Sequence, residues 1–228
     1  MIKFYGDYEV YSESGVDLTL LRENLRRSLE ERWEYNLRAV ELARAFEEAG
    51  RMSRALPPQR EGPSDTFDST APLRRLLDNR VAFVVVGGLA MTTQGCPNIT
   101  QELALCYRRT AENIAALVAA FAPLHPYLRG APPGLPFKFD APTVQAGLNF
   151  TLTTDLGDVD LLGEVSGVGT ADQAIAQSEE RTLFGMTLRV LSLDALIASK
   201  KAAGRLKDRN HLLELEELKK LKDAPPEG

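Results

Sequence analysis

The sequence is poor in the residues that build disulfides and metal sites. Its 228 residues include two cysteines and two histidines. Cys96 and Cys106 belong to no CxxC motif and have no histidine neighbour, so they predict neither a zinc site nor a disulfide framework. We interpret both as small core residues. His125 and His211 stand far apart, which argues against a metal site built mainly on histidine.

An excess of positive charge is also missing, and so are long apolar runs. The 27 Lys and Arg residues against 32 Asp and Glu give a formal net charge of −5. This charge supplies no general attraction for a polyanion, so contact with a nucleotide or nucleic acid requires a local basic cluster. No window approaches the length of a membrane-spanning helix, and the first residues do not resemble a secretory signal. We expect a cytoplasmic protein with no membrane contact.

Three segments differ in composition. Residues 1–54 carry a narrow apolar stripe at helical spacing, and Ser28 with Glu31 forms a capping box at the start of that helix. Residues 55–71 are rich in Pro, Ser and Asp, as linkers are. Residues 72–228 alternate strand-like and helix-like patterns. The sequence therefore predicts an α+β (α/β) domain with a helical extension.

Hydrophobic patterns locate the main elements of the domain. Strands are expected at 81–87, 101–107, 147–154, 158–165 and near 186–191, and helices after residue 87, from Thr110 to Phe121 and from Ser192 onward. The first strand is a run of β-branched residues, which is typical of a strand buried on both faces. Residues 122–143 are too long and too rich in Pro and Gly for a simple connection. They predict a functional flap or an ordered wrap.

A glycine pair is the first candidate for a phosphate-binding feature. Gly87 and Gly88 end the first strand and open a helix, whose N-terminus offers free N–H groups to a phosphate. The alternative is a simple strand-to-helix turn. Between residues 200 and 209, five Lys and Arg residues outweigh Asp208 by four charges, although such a run is usually a solvated helix face.

Carboxylates on two strands are the second candidate feature. Residues two apart on a strand share a face, so Glu102 aligns with residue 104 and Asp158 aligns with Asp160. Carboxylates on adjacent strands would hold Mg²⁺ against a triphosphate. Glu102 as a solvated strand residue and Asp158 as part of the hairpin turn are the alternatives. Asp160 lies in an apolar run, where a lone carboxylate is costly unless it is paired or metal-bound.

Five stretches carry a family resemblance. They are FVVVGGLAM (83–91) with Gly95, the T-x-x-L-x-L-x-Y-R-R pattern at 100–109, HPYLRGAPPGLPFKFD (125–140), NFTLTTDLGDVDLLGEV (149–165) and LIASKKAAGRLKD (196–208). From about Pro72 to Leu221 the chain resembles the nucleotidyltransferase superfamily with the DNA-polymerase-β-like fold. Within it the chain is similar to the small prokaryotic toxin-type, AbiEii-like branch. The resemblance implies a mixed β-sheet flanked by helices.

The resemblance also implies roles for individual residues. Members of the family place a Gly-Gly pair, here Gly87 and Gly88, at the triphosphate of an NTP. An Asp-x-Asp pair and a third Asp then hold two Mg²⁺ ions. Here the pair reads Glu102 and Ala104, so one ligand is longer and the other is lost, whereas Asp160 matches the third carboxylate.

This departure leaves three interpretations of the metal site. The protein is a natural pseudoenzyme, an engineered inactive form, or an enzyme whose metal site Asp158 restores. From the basic segment, which faces the cleft in the family, Lys200 is the first candidate to neutralise phosphate and Arg205 is the second. His125, Tyr127, Arg129 and Lys138 are candidates for a wall that binds the acceptor.

Two functions remain open at this point. The first is Mg²⁺-dependent transfer of NMP from an NTP to a hydroxyl of RNA, such as a tRNA 3′ end, or of a protein. The second is a catalytically inactive relative that binds a nucleotide or a partner in a toxin-antitoxin setting. Residues 1–54 resemble a short upstream reading frame and would act as a neutralising partner within the chain. A structural helix pair or a dimerisation arm is the alternative.

Overall fold

A seven-stranded mixed sheet forms the centre of the computed structural model, which describes residues 9–53, 70–132 and 134–224. In chain order the strands are β1 (Phe83–Val86), β2 (Glu102–Tyr107), β3 (Tyr127–Leu128), β4 (Asn149–Thr154), β5 (Gly157–Leu162), β6 (Glu164–Val165), β7 (Gly169–Thr170), β8 (Ser178–Leu183) and β9 (Met186–Leu191). The sheet order is β3-β4-β5-β2-β1-β9-β8, and β6 with β7 makes a separate ribbon. Strand β2 runs parallel to β5, and β1 runs parallel to β9. The remaining pairs are antiparallel.

Helices cover this sheet. They are α1 (Leu18–Arg26), α2 (Leu29–Ser53), α3 (Thr70–Asp78), α4 (Gly87–Gln94), α5 (Ala111–Phe121), α6 (Ala141–Ala146), α7 (Ala171–Ala176), α8 (Leu193–Ala203) and α9 (Leu206–Asp223). The predicted class, an α+β fold with a mixed sheet flanked by helices, is confirmed. Within the described ranges, no helix has the length and apolar character needed to cross a membrane.

The local sequence signals explain where the helices begin. The Glu31 carboxylate accepts a hydrogen bond from the Ser28 amide at 2.6 Å, and the Ser28 hydroxyl accepts one from the Glu31 amide at 3.2 Å. This reciprocal pair is the predicted capping box at the start of α2. The Thr110 and Ser192 hydroxyls cap α5 and α8 by accepting a hydrogen bond from the amide of Asn113 and of Ala195, respectively.

Burial follows the apolar runs. All four residues of β1 are buried, as expected for a central strand covered on both faces. Cys96 and Cys106 are free thiols in the core, which confirms their interpretation as core residues. Burial raises the pKa of both thiols, that of Cys106 to about 12. Neither thiol therefore carries thiolate character at neutral pH.

The N-terminal helices pack against the sheet domain through buried polar contacts. Trp33 is 1% exposed and donates its indole N–H to the Thr93 hydroxyl on α4 at 3.0 Å. Asn36 binds the backbone of Thr100 twice. Its amide nitrogen donates to the Thr100 carbonyl at 3.1 Å, and its amide oxygen accepts from the Thr100 N–H at 2.8 Å. Helix α2 thus contacts the body of its own chain.

The division into residues 1–54, 55–71 and 72–228 remains a prediction. Residues 54–69, which hold most of the expected linker, lie outside the described residues, as do the first eight residues of the chain. The last two positions of that linker, Thr70 and Ala71, already belong to α3.

Removal of the Trp33 side chain tests whether α2 belongs to the cooperative core. We expect Trp33→Ala to lower the free energy of unfolding by about 3–5 kcal/mol, because a large buried side chain and its hydrogen bond are lost together. Urea unfolding of the full chain measures this. Phe46→Ala is the matched control, since Phe46 is on the same helix but 71% exposed and should change stability by less than about 0.5 kcal/mol. Equal small losses would show that α2 is not part of the core.

Candidate functional site

Three carboxylates meet where β2 and β5 run side by side. The parallel register pairs Glu102 with Asp158 and Ala104 with Asp160. Alternate residues of a strand share a face, so all four positions open on the same cleft. Asp158 is the second residue of β5 and lies beyond the turn at 155–156. Its interpretation as a turn residue is therefore wrong.

The cleft has a volume of about 700 Å³ and brings the predicted site residues together. Its wall includes Gly87, Gly88, Glu102, Ala104, Asp158, Asp160, Lys200 and Arg205. It also includes Arg129, a candidate for the acceptor wall, and Lys207 of the basic segment, together with Thr100 and His211, which no sequence pattern assigned to the site. One end of the cleft is acidic and the α8–α9 side is basic.

The glycine turn is fitted closely to its neighbours. Gly87 has a φ of +66°, and a β-carbon there would lie 2.9 Å from the Ala104 side chain. A β-carbon on Gly88 would lie 2.5 Å from the β-carbon of Thr100. Contacts this short leave no room for a side chain at either position. Both positions therefore require glycine, because Ala104 of β2 and Thr100, which precedes β2, lie against the start of α4.

Arg129 contacts the carboxylates, although the sequence predicted it for the acceptor wall. It follows β3 in the Pro/Gly-rich segment and reaches the carboxylate cluster from the edge of the sheet. Its guanidinium lies 2.9 Å from a Glu102 oxygen and 3.5 Å from an Asp158 oxygen, and it also donates to Asp160. The sequence signal for it is indirect. Three carboxylates facing one cleft require a cation, but no local pattern identifies which one.

Burial and charge act together on the acidic cluster. Burial raises the pKa of Asp160, the neighbouring Glu102 carboxylate raises it further, and the Arg129 guanidinium acts in the opposite direction without cancelling the rise. For Arg129, burial favours the neutral form, but the hydrogen bond to Glu102 and the surrounding carboxylates outweigh it and raise the pKa. The guanidinium is therefore charged throughout the accessible pH range.

The basic wall is organised by one buried carboxylate, Asp208. Lys200 binds one of its oxygens at 2.8 Å, and Arg205 binds the other at 2.6 Å. Burial alone would raise the pKa of Asp208, but the hydrogen bonds from Arg205 and Lys200 lower it to about 2. The Lys200 ammonium also donates to Nδ1 of His211 at 3.2 Å. That contact assigns Nδ1 as the acceptor, and burial lowers the pKa of His211.

The two predicted phosphate-binding cations differ in access. The Lys200 side chain is 11% exposed and is held by Asp208, whereas the Arg205 side chain is 62% exposed. The hydrogen bond to Asp208 raises the pKa of Arg205, and Glu102 and Asp160 add to this effect from the acidic end. From the sequence, Lys200 was the first candidate to bind phosphate and Arg205 the second. The structure gives Arg205 the better access to a ligand.

The residues present do not fit the two Mg²⁺ ions that the family resemblance implies. Ala104 offers no oxygen at the position beside Asp160, and all three carboxylates already contact Arg129. In the part of the chain that the structure describes, no group of three or more His, Cys, Asp or Glu residues has the arrangement of a metal site. Mg²⁺ requires near-octahedral oxygen ligands at about 2.0–2.1 Å.

Comparison with solved structures finds similar chains. A putative nucleotidyltransferase (TM1012) from Thermotoga maritima matches with a TM-score of 0.42 and 17% identity, covering 64% of this chain and 90% of that protein. No family model matches the sequence, and no curated protein matches it.

Asp208 should make the stability of the protein dependent on pH. Its folded-state pKa is about 2 against an ordinary value of 3.8, so the stabilisation is complete above the ordinary value and is lost as the pH falls through 2. We expect Asp208→Asn to cost on the order of 2 kcal/mol at neutral pH. Urea unfolding at pH 7, 4 and 2 should show this deficit shrinking toward the lowest pH.

The control for this series is Asp172→Asn, because Asp172 is an exposed carboxylate paired with Arg108 at the surface. It should change stability little at any pH. A deficit of Asp208→Asn that stays constant from pH 7 to pH 2 would mean that ionisation of Asp208 is not its source.

Proposed function

We propose that this protein is a member of the nucleotidyltransferase fold that binds a nucleoside triphosphate in the cleft and does not transfer its nucleotidyl group. The observation that carries the proposal is the pair of residues on β2 that face the cleft. They are Glu102 and Ala104, and Ala104 stands directly beside Asp160. The carboxylate that would bridge two metal ions is therefore missing at the centre of the site.

The glycine turn and the basic wall support the binding of phosphates. Gly87 and Gly88 bring the backbone of α4 to the cleft, where its N-terminal N–H groups attract an anion. Arg205 provides an exposed guanidinium in the same cleft, and Lys207 also lines the cleft. Charge-assisted hydrogen bonds from such groups are the strongest that phosphate oxygens accept in water-accessible sites.

The loss of transfer activity follows from ligand chemistry. Two-metal catalysis stabilises the attacking and leaving oxygens through ions held by bridging carboxylates. Alanine supplies no ligand atom, and Glu102 carries its carboxylate one methylene farther from the strand than aspartate would. One Glu102 oxygen also accepts a hydrogen bond from Arg129 at 2.9 Å, so an ion would compete with Arg129 for that oxygen.

A second candidate function is slow, Mg²⁺-dependent transfer of NMP to a hydroxyl of RNA, such as a tRNA, or of a protein. The observation that favours it is the retention of three carboxylates on one face of the cleft, with Asp158 beside Glu102. On this alternative Asp158 would replace part of the lost ligand set.

For residues 1–54 we propose a supporting role within the chain. Asn36 of α2 holds both backbone groups of Thr100, and Thr100 in turn packs against Gly88 at the mouth of the cleft. The segment therefore contacts the residues that shape the glycine turn. A detachable neutralising partner is less compatible with a buried Trp33 and Asn36.

Nucleotide binding can be tested with one variant pair on α8 and its exit. We expect Arg205→Ala to weaken the binding of labelled NTPs by roughly tenfold, because a charge-assisted hydrogen bond to phosphate is lost. Equilibrium binding to the full chain measures the dissociation constant. Lys201→Ala is the control, since Lys201 pairs with Glu216 on the surface and should leave affinity unchanged. Absence of NTP binding by the unaltered protein, or equal losses in both variants, would refute the binding site.

Transfer activity separates the two candidate functions. With Mg²⁺, labelled NTPs and total RNA, we expect the unaltered protein to transfer no label. The variant that combines Glu102→Asp, Ala104→Asp and Arg129→Gln should gain transfer, because it restores both carboxylates of the Asp-x-Asp pair and removes the guanidinium that contacts the cluster. Transfer by the unaltered protein at the rate of this variant would support the second candidate and contradict our account of the missing ligand.

A further inference from the structure

The carboxylate cluster already contains a cation that belongs to the chain. The Arg129 guanidinium contacts Glu102, Asp158 and Asp160 at once. We propose that Arg129 replaces the divalent ion of this cleft, so that the site excludes Mg²⁺ and takes a triphosphate as the metal-free anion. The exclusion of metal follows from the geometry alone, whereas the nature of the anion rests on the proposed function.

Competition for the same oxygen atoms is the first reason. A divalent ion needs the carboxylate oxygens as direct ligands, and Arg129 uses oxygens of all three residues. A guanidinium holds its charge at any physiological pH, so the competitor is always present. If a metal ion displaced it, Arg129 would lose its partners while its side chain is only 27% exposed.

The charges of the cleft give the second reason. Four carboxylates and four cations line the cleft or are paired to its lining residues. They are Glu102, Asp158, Asp160 and Asp208 on one side of the balance and Arg129, Lys200, Arg205 and Lys207 on the other. Over the whole lining the charges cancel, but at the acidic end the three carboxylates and Arg129 leave a net charge of −2. Without Arg129 that end would carry −3, so Arg129 weakens the attraction for a divalent cation.

The backbone around Arg129 holds the guanidinium in position. Strand β3 pairs with β4, and the Arg129 amide continues that pairing by donating to the Thr151 carbonyl at 2.9 Å. Gly130 then turns the chain with a φ of +76°. The Tyr127 hydroxyl fastens the next part of the segment by donating to the Pro132 carbonyl at 2.7 Å and accepting from the Leu135 N–H at 3.1 Å. Arg129 is therefore preorganised for the carboxylates.

Direct measurement of metal binding tests the replacement. Mn²⁺ serves as the probe, because its free-ion EPR signal falls when the ion binds. We expect the full chain without nucleotide to bind no Mn²⁺ at millimolar concentrations. Arg129→Gln removes the charge but keeps a polar side chain, and it should gain affinity by at least about tenfold, since a unit charge near the carboxylates is gone. Arg129→Ala should gain similarly.

Two controls complete this test. Arg129→Lys keeps a positive charge and should bind Mn²⁺ far more weakly than Arg129→Gln. Arg108→Ala removes an arginine that pairs with Asp172 outside the cleft and should bind none. Binding of Mn²⁺ by the unaltered protein as tightly as by Arg129→Gln would overturn the proposal, and so would the failure of folded Arg129→Gln to gain any binding.

A second readout concerns the ligand. If the triphosphate is bound as the metal-free anion, EDTA should change the NTP dissociation constant of the unaltered protein by less than about twofold, because no ion bridges ligand and protein. Loss of NTP binding in EDTA would overturn this part of the proposal. Failure to bind NTP in either condition would refute the proposed function, and the Mn²⁺ result would then still decide the role of Arg129.

Discussion

Parallel pairing of β2 with β5 places the chemistry of this molecule at the centre of its sheet. The register sets Glu102 beside Asp158 and Ala104 beside Asp160, so two strands far apart in sequence present their polar residues to one cleft. A parallel pair requires a crossover connection. Here the connection contains α5, the segment with Arg129, α6 and β4. The same segment that completes the sheet therefore also delivers the cation that the carboxylates need.

Charge compensation accounts for both ends of the cleft. Half-buried carboxylates are costly unless a cation and hydrogen bonds satisfy them. Arg129 is the cation that compensates the carboxylates on β2 and β5. On the α8–α9 side, Asp208 is the carboxylate that compensates Lys200 and Arg205. Carboxylates outnumber cations in the cluster around Arg129, whereas cations outnumber carboxylates in the cluster around Asp208. A ligand with several negative charges would therefore be oriented along the cleft rather than held at its middle.

Sequence patterns predicted the apolar strands and capped helices well, because buried residues recur along the sequence with the period of the strand or helix. Strands β1, β2 and β4 lie within the expected ranges, whereas β5 begins one residue before its range and ends at Leu162. Strand β8 was not predicted. Its residues, SEERTL, carry almost no apolar alternation, and its place at the sheet edge next to β9 stabilises it through backbone pairing instead.

The sequence predicted many of the residues that line the cleft, but it did not predict the ion pairs between them. Positions 102, 104 and 160 were found through a strand pattern and a resemblance, which reveal the face that a residue occupies. Two facts depend on contacts across the fold and leave no local signal. One is that Arg129 enters the carboxylate cluster, and the other is that Asp208 restrains Lys200. Both are ion pairs between residues of different elements.

The hydrogen bonds between Asn36 and Thr100 have a further consequence for local unfolding. Thr100 fills the space above Gly88, and its two backbone groups are satisfied by a side chain from α2. If α2 detached, a buried N–H and a buried carbonyl beside the glycine turn would lose their partners. Opening of the extension and loosening of the turn are thus coupled thermodynamically, so the two regions should exchange their amide hydrogens as one cooperative unit.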